Sequence, residues 1–131
     1  MNTKLLRVIY ILLLILGTQI FSELFLVKNS LYYIFPWLDI PMHIWGGFLI
    51  GILYYCYSDY SMRDGETTEA DVKLIDLLVF VVLIGVLWEL YEYVSDIYHI
   101  RDWGGFVDTF KDICDDIIGG LIAYGVTRSN K

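Results

Sequence analysis

The sequence predicts an all-α protein, a polytopic bundle of four transmembrane helices with an acidic, histidine-containing pocket near one membrane face. Three observations predict it. Hydrophobic residues make up 57% and aromatics 17% of the 131 residues, and the mean hydropathy is +0.58, too apolar for an ordinary soluble domain of this length. Four apolar runs, 5–27, 40–57, 74–97 and 108–126, occupy most of the chain and leave one long polar segment, 58–73. The acids are concentrated in that segment and at the ends of the runs. One membrane domain over residues 1–131 is the natural count. The net charge of −7 and pI near 4.5 exclude nucleic acid as a partner.

Lys4 precedes the first run and Arg7 lies at its edge. Its apolar core is too long for a signal peptide and no small-x-small cleavage site follows, so it reads as a retained helix. Gln19 and Glu23 share a face at its far end, although Glu23 also has the position to snorkel outward with Lys28. The connector 29–38 is aromatic and is interrupted by Pro36, which suits an interfacial belt or a shallow re-entrant segment.

Asp39 is placed to N-cap the second helix, with Pro41 in its first turn and His43 one turn on. Gly47 and Gly51 form a GxxxG pair that permits close helix approach. Segment 58–73 reads as a solvated loop. In the third helix Gly85, Glu89, Glu92 and Asp96 fall on one stripe that His99 extends. After a turn-rich connector, Asp108 is expected to N-cap the fourth helix, on which Asp108, Asp112, Asp115 and Gly119 share a face with Asp116 beside them. Its clean apolar part, residues 117–126, extends only ~15 Å at 1.5 Å per residue, against a hydrocarbon core of roughly 30 Å. The aspartates therefore face protein or water, not lipid.

Four antiparallel spans bring the Gln19 and Glu23 end, the Asp39 and His43 start, the Glu89, Glu92 and Asp96 end, and the Asp108 to Asp116 start to one side. Lys4, Arg7, Arg63, Lys73, Arg128 and Lys131 lie on the other, which places both termini in the cytoplasm of a cell-membrane protein and the acids toward the outer leaflet. The bland alternative is that each acid caps or snorkels at its own interface. Cys56 and Cys114 fall near opposite faces, too far apart to pair, and read as buried free thiols.

Carboxylates that share a cavity need compensation, and a divalent metal (Zn, Mn, Fe or Mg) is the simplest form of it. The expected ligand set is Asp39, His43, Glu89, Glu92, Asp108, Asp112 and Asp116, with Glu23, Asp96 and Asp115 as further pocket residues. Glu89-x-x-Glu92 and Asp112-x-x-Asp115 have the i,i+3 spacing of di-iron bundles but lack their histidine. The chemistry such a site supports is metal-assisted hydrolysis or transfer on a phosphate-containing lipid; no residue is assigned as catalytic. His99 and Arg101 are candidates to meet a lipid phosphate. Expected partners are membrane lipids, a lipid or envelope-precursor ligand and a second copy of the chain. Two other classes compete: a small proton- or ion-coupled transporter that uses the same acids as a relay, and a non-catalytic partner protein.

Asp39-Ile-Pro-Met-His43-Ile-Trp-Gly-Gly47, Trp88-Glu89-Leu-Tyr-Glu92 and Asp108-Thr109…Asp112…Asp116-Ile-Ile-Gly119-Gly120 together resemble the YjdF-type family of small membrane proteins and, more distantly, the VanZ-like family. The likeness spans residues 36–126. It implies a shared polar set of Asp39, His43, Glu89, Glu92, Asp108, Asp112 and Asp116 with no catalytic assignment. YjdF-type proteins have no established activity, and VanZ-like proteins are linked to low-level resistance to lipid-bearing glycopeptide antibiotics that act at the envelope. The chain is shorter than typical YjdF-type proteins, which carry additional spans.

Overall fold

Apolar helical runs and Gly- or Pro-bearing breaks dictate the elements. In the computed structural model, residues 3–61, 72–98 and 103–129 are described, and all their regular structure is helical. Helix α1 (Thr3–Phe21) runs into a π-helical turn (Ser22–Val27); a single short turn, α2 (Leu31–Ile34), and a 3-10 turn (Pro36–Leu38) lead into α3 (Asp39–Ser61). Helices α4 (Leu74–Ile97) and α5 (Phe106–Ser129) complete the order. Three stretches are long and apolar enough to cross a membrane: Thr3–Val27, Pro36–Ser61 and Leu74–Ile97. Helix α5 has 24 residues, the same length as α4, but its first half carries four aspartates and a lysine.

The exposure pattern of α5 is inverted relative to a soluble helix. Asp112, Asp115 and Asp116 are buried together with Gly119, Gly120 and Ala123. Phe110 is 73% exposed, whereas Asp112 is 2% exposed. In water this arrangement would cost free energy on both faces; against lipid the outward phenylalanine is at home and the inward aspartates are shielded.

Helix α3 is the hub. It packs most extensively on α5, then on α1 and α4, and α5 also packs on α4. Small residues set the α3–α5 distance. A Cβ on Gly47 would collide with the Asp116 carbonyl, one on Gly119 with the Ile44 carbonyl, and one on Gly51 would lie 2.7 Å from Ala123 Cβ. This register, 47 on 116 and 51 on 123, makes α3 and α5 run in the same direction. Helix α4 opposes them: Leu77 reaches Gly51, Val81 reaches Gly120, and Gly85 lies against Asp116. Helix α1 is likewise antiparallel to α3. Trp45 Nε1 donates to Thr18 Oγ1 (3.2 Å), and Lys4 Nζ donates to the Asp59 carbonyl (3.0 Å) beside ion pairs of Lys4 and Arg7 with the Asp59 carboxylate at 3.5 and 3.8 Å. The polar ends of α1, α3, α4 and α5 therefore share one end of the molecule.

The reversal after α1 uses Ser30 in the left-handed region (φ 55°), whose N–H donates to the Val27 carbonyl at 2.9 Å. Ser22 Oγ and Tyr32 OH, 3.0 Å apart, pin that turn to the end of α1. Gly105 (φ 89°) provides the sharp entry to α5, a conformation that glycine adopts without steric cost.

Three expectations are corrected. Asp39 is not an N-cap, because the 3-10 turn flows directly into α3 and Asp39 has helical dihedrals (φ −60°, ψ −46°). Asp108 is not one either, since α5 starts at Phe106; its carboxylate accepts from Lys111 instead of a backbone N–H. The thiols are free but not buried: Cys56 is half-buried, and Cys114 is exposed on the face of α5 opposite the aspartates.

Candidate metal centre

The α3–α5 register puts the first turn of α3 beside the first two turns of α5. His43, one turn into α3, is buried against α5. Its Nδ1 is 3.2 Å from Asp116 Oδ1, within hydrogen-bond distance; an ionised carboxylate only accepts, so against it the ring donates. In the neutral ring that tautomer leaves the Nε2 lone pair free. Nε2 faces Asp39 Oδ1 at 3.6 Å and Asp112 Oδ2 at 3.9 Å, both too long for a hydrogen bond. Asp39, His43 and Asp112 each offer one ligand atom, all within 4.8 Å of one another.

The other oxygens of the same two aspartates converge on a cation. Lys111 Nζ donates to Asp108 Oδ1 (2.8 Å) and Asp39 Oδ2 (3.0 Å) and lies 3.1 Å from Asp112 Oδ1. The last contact is an ion pair without hydrogen-bond alignment, so Asp112 Oδ1 has no hydrogen-bond partner although it is buried. Asp39 and Asp112 thus stand between two points. At one sits the Lys111 ammonium; around the other are Asp39 Oδ1, His43 Nε2 and Asp112 Oδ2.

The remaining acids of the expected set divide among other partners. Glu89 is buried on α4, where Oε2 accepts from Thr109 Oγ1 (2.6 Å), which in turn accepts from Trp103 Nε1 (3.0 Å). Its Oε1 is buried without a hydrogen-bond partner, as is Asp115 Oδ2. Glu92 Oε1 accepts from Trp88 Nε1 (3.0 Å) and Glu23 Oε1 from Gln19 Nε2 (3.1 Å). Asp96 is half-buried a turn beyond Glu92. His99 and Arg101 lie outside the described residues, as do residues 62–71 of the polar segment.

Sequence reading missed Lys111 as part of the site and Thr109 as the partner of Glu89. The i,i+3 spacing of Asp108 and Lys111 was the available signal for the lysine. Thr109 had none, because a hydroxyl between helices is assigned only when the helices are docked.

Next to the centre is a cavity of about 220 Å³ between α1, α3 and α4, into which Asp39, His43 and Asp116 open. No curated protein and no solved structure matches the chain. A family model described as "Predicted membrane protein (DUF2238)" matches residues 2–130, and three helices of the structure are long and apolar enough to cross a membrane. With nearly its whole length matched, the chain belongs to the DUF2238 family of predicted membrane proteins.

Proposed function

We propose that this protein is a four-span cell-membrane protein whose α3–α5 interface holds one divalent metal ion, and that the ion serves a polar lipid or envelope headgroup. The observation that carries this reading is the orientation of His43. Asp116 on Nδ1 turns Nε2 toward Asp39 Oδ1 and Asp112 Oδ2, the carboxylate–histidine arrangement that fixes a metal-binding imidazole. Ligands about 2.0–2.2 Å from a tetrahedral ion lie roughly 3.3–3.6 Å apart. The two spacings to His43, 3.6 and 3.9 Å, are near that range, and the three ligand atoms, all within 4.8 Å of one another, must draw in to complete that shape.

Two carboxylates and one imidazole suit Zn²⁺, Mn²⁺, Fe²⁺ or Mg²⁺, and the two aspartates neutralise the ion's charge. Three protein ligands leave coordination positions for a headgroup oxygen or a water. A metal-dependent hydrolase is the enzymatic form of this reading. The inverted faces of α5 support a fourth span, and the positive-inside bias supports cytoplasmic termini with the centre toward the outer leaflet. The YjdF-type and VanZ-like resemblance of the three polar segments supports an envelope-facing role.

Metal content of the detergent-purified protein, read by mass spectrometry after loading with Mn²⁺ or Zn²⁺, tests the proposal. One ion per chain is expected in wild type, with loss in His43→Ala and Asp112→Asn while both variants keep the wild-type elution volume. A folded wild type that retains no divalent ion overturns it.

A further inference from the structure

The cavity beside the centre has two unlike ends. Toward the middle of the bundle its walls are Ile15, Leu49, Ile50, Val81 and Ile84; at the polar end are Gln19, Asp39, His43, Glu92 and Asp116. Its volume of about 220 Å³ exceeds the ~150 Å³ apolar cavity that admits benzene, so a chain segment of several methylenes has room. Gly46 lies in its wall, and a Cβ built there meets no atom within 4 Å.

The charge of the lining is one-sided. Its acidic residues are Asp39, Glu92 and Asp116; His43 is the one basic group, and no Lys or Arg lines it among the described residues. Such a surface disfavours a headgroup of net negative charge and attracts an ammonium, whose N–H donors form the strong, charge-assisted class of bond with carboxylates. Trp88, at the same end, holds the Glu92 carboxylate through its indole N–H (3.0 Å) and adds an aromatic face of the kind ammonium groups favour. The three helices that frame the cavity are the three apolar enough to cross a membrane, and no residue of α1 is buried.

We infer that this cavity binds a membrane amphiphile with an ammonium head, a primary-amine phospholipid of the phosphatidylethanolamine class. The ammonium sits between Glu92 and Asp116, since Asp39 is already paired with Lys111 (3.0 Å), and a chain segment lies along Ile50, Val81 and Ile84. This inference rests on the headgroup part of the function proposed above and not on its metal.

The test is native mass spectrometry of the detergent-purified protein titrated with dioleoyl phosphatidylethanolamine or dioleoyl phosphatidylglycerol, each in EDTA and in Mn²⁺. The amine lipid is expected to bind about tenfold more tightly than the glycerol lipid in both conditions. Gly46→Phe, which fills the cavity, is expected to lower amine-lipid binding by about tenfold while Mn²⁺ loading stays at the wild-type level. Ile84→Phe repeats the filling from the facing helix, and Glu92→Gln is expected to reduce the headgroup preference. Equal binding of the two lipids, a preference for the glycerol lipid, or undiminished amine-lipid binding in both filled variants overturns the inference. So does competition by soluble glycerophosphoethanolamine at the concentration of the lipid. Loss of Mn²⁺ loading with amine-lipid preference intact would instead remove the metal reading and leave this one standing.

Discussion

Gly46 and Gly47 are neighbours in sequence, yet they face two unlike sides of α3. On the α5 side, Gly47 and Gly119 bring backbone against backbone, with Gly51 and Ala123 one turn farther along. On the α1 side, Gly46 has no counterpart; nothing lies within 4 Å of where its Cβ would be, and the space is cavity. Small residues on both partners make a tight seam, and a small residue on one alone makes a pocket. The seam lets acids be buried on α5 at all. Because α5 lies so close, Asp112 and Asp116 reach His43, and Asp112 also comes within ion-pair distance of Lys111.

The strongest challenge to this contrast is a side chain placed in the seam. Gly47→Leu and Gly119→Leu must displace a carbonyl, not a flexible side chain, and each is expected to cost on the order of 3 kcal/mol or more. Thermal unfolding followed by intrinsic fluorescence in detergent would show this as loss of a cooperative transition. A wild-type melting temperature in both would mean that the two helices are not in contact there.

A smaller effect is expected one layer out. Asp116→Asn keeps a group on His43 Nδ1 but no longer a charge, and metal affinity should fall by roughly 10–100-fold, whereas His43→Ala should abolish it. Mn²⁺ titration monitored by electron paramagnetic resonance separates the two. Equal losses in both variants would make Asp116 a ligand instead of a positioning residue.

Lys111→Met comes next. Without the ammonium, Asp39, Asp108 and Asp112 lose the cation they share. Because Lys111 is 40% exposed and solvent screens it, the expected cost is only about 1–2 kcal/mol. A divalent cation should recover part of it, seen as a melting temperature that rises with Mn²⁺ more steeply than in wild type. The gentlest test is Gly46→Ala. In open space within a helix, the added methyl should stabilise by roughly 0.5–1 kcal/mol, the opposite sign from any substitution at Gly47. A destabilised Gly46→Ala would show that the pocket side is packed after all.

The helical class and the membrane character were legible from apolar runs alone, because a bilayer of fixed thickness and a backbone that must satisfy its own hydrogen bonds leave few other solutions. Convergence of the polar ends also followed from counting helix reversals. Which acids meet was not legible. Glu89, Glu92 and Asp116 look alike as acids on helical stripes, but Glu89 turns to Thr109, Glu92 to Trp88, and only Asp116 reaches His43. Nor was the role of Lys111 legible, which is the shared partner of Asp39 and Asp108.

By itself, then, the chain's sequence determines that apolar helices form and which face of each is polar, since both depend on periodicity within a single segment. The partners of Asp39, His43 and Asp112, and the cavity beside them, were decided only by tertiary structure. One residue advances a helix by about 1.5 Å and turns it by about 100°, so register and rotation between helices select the contacts, and those are set where Gly47 meets Asp116 and Ile44 meets Gly119.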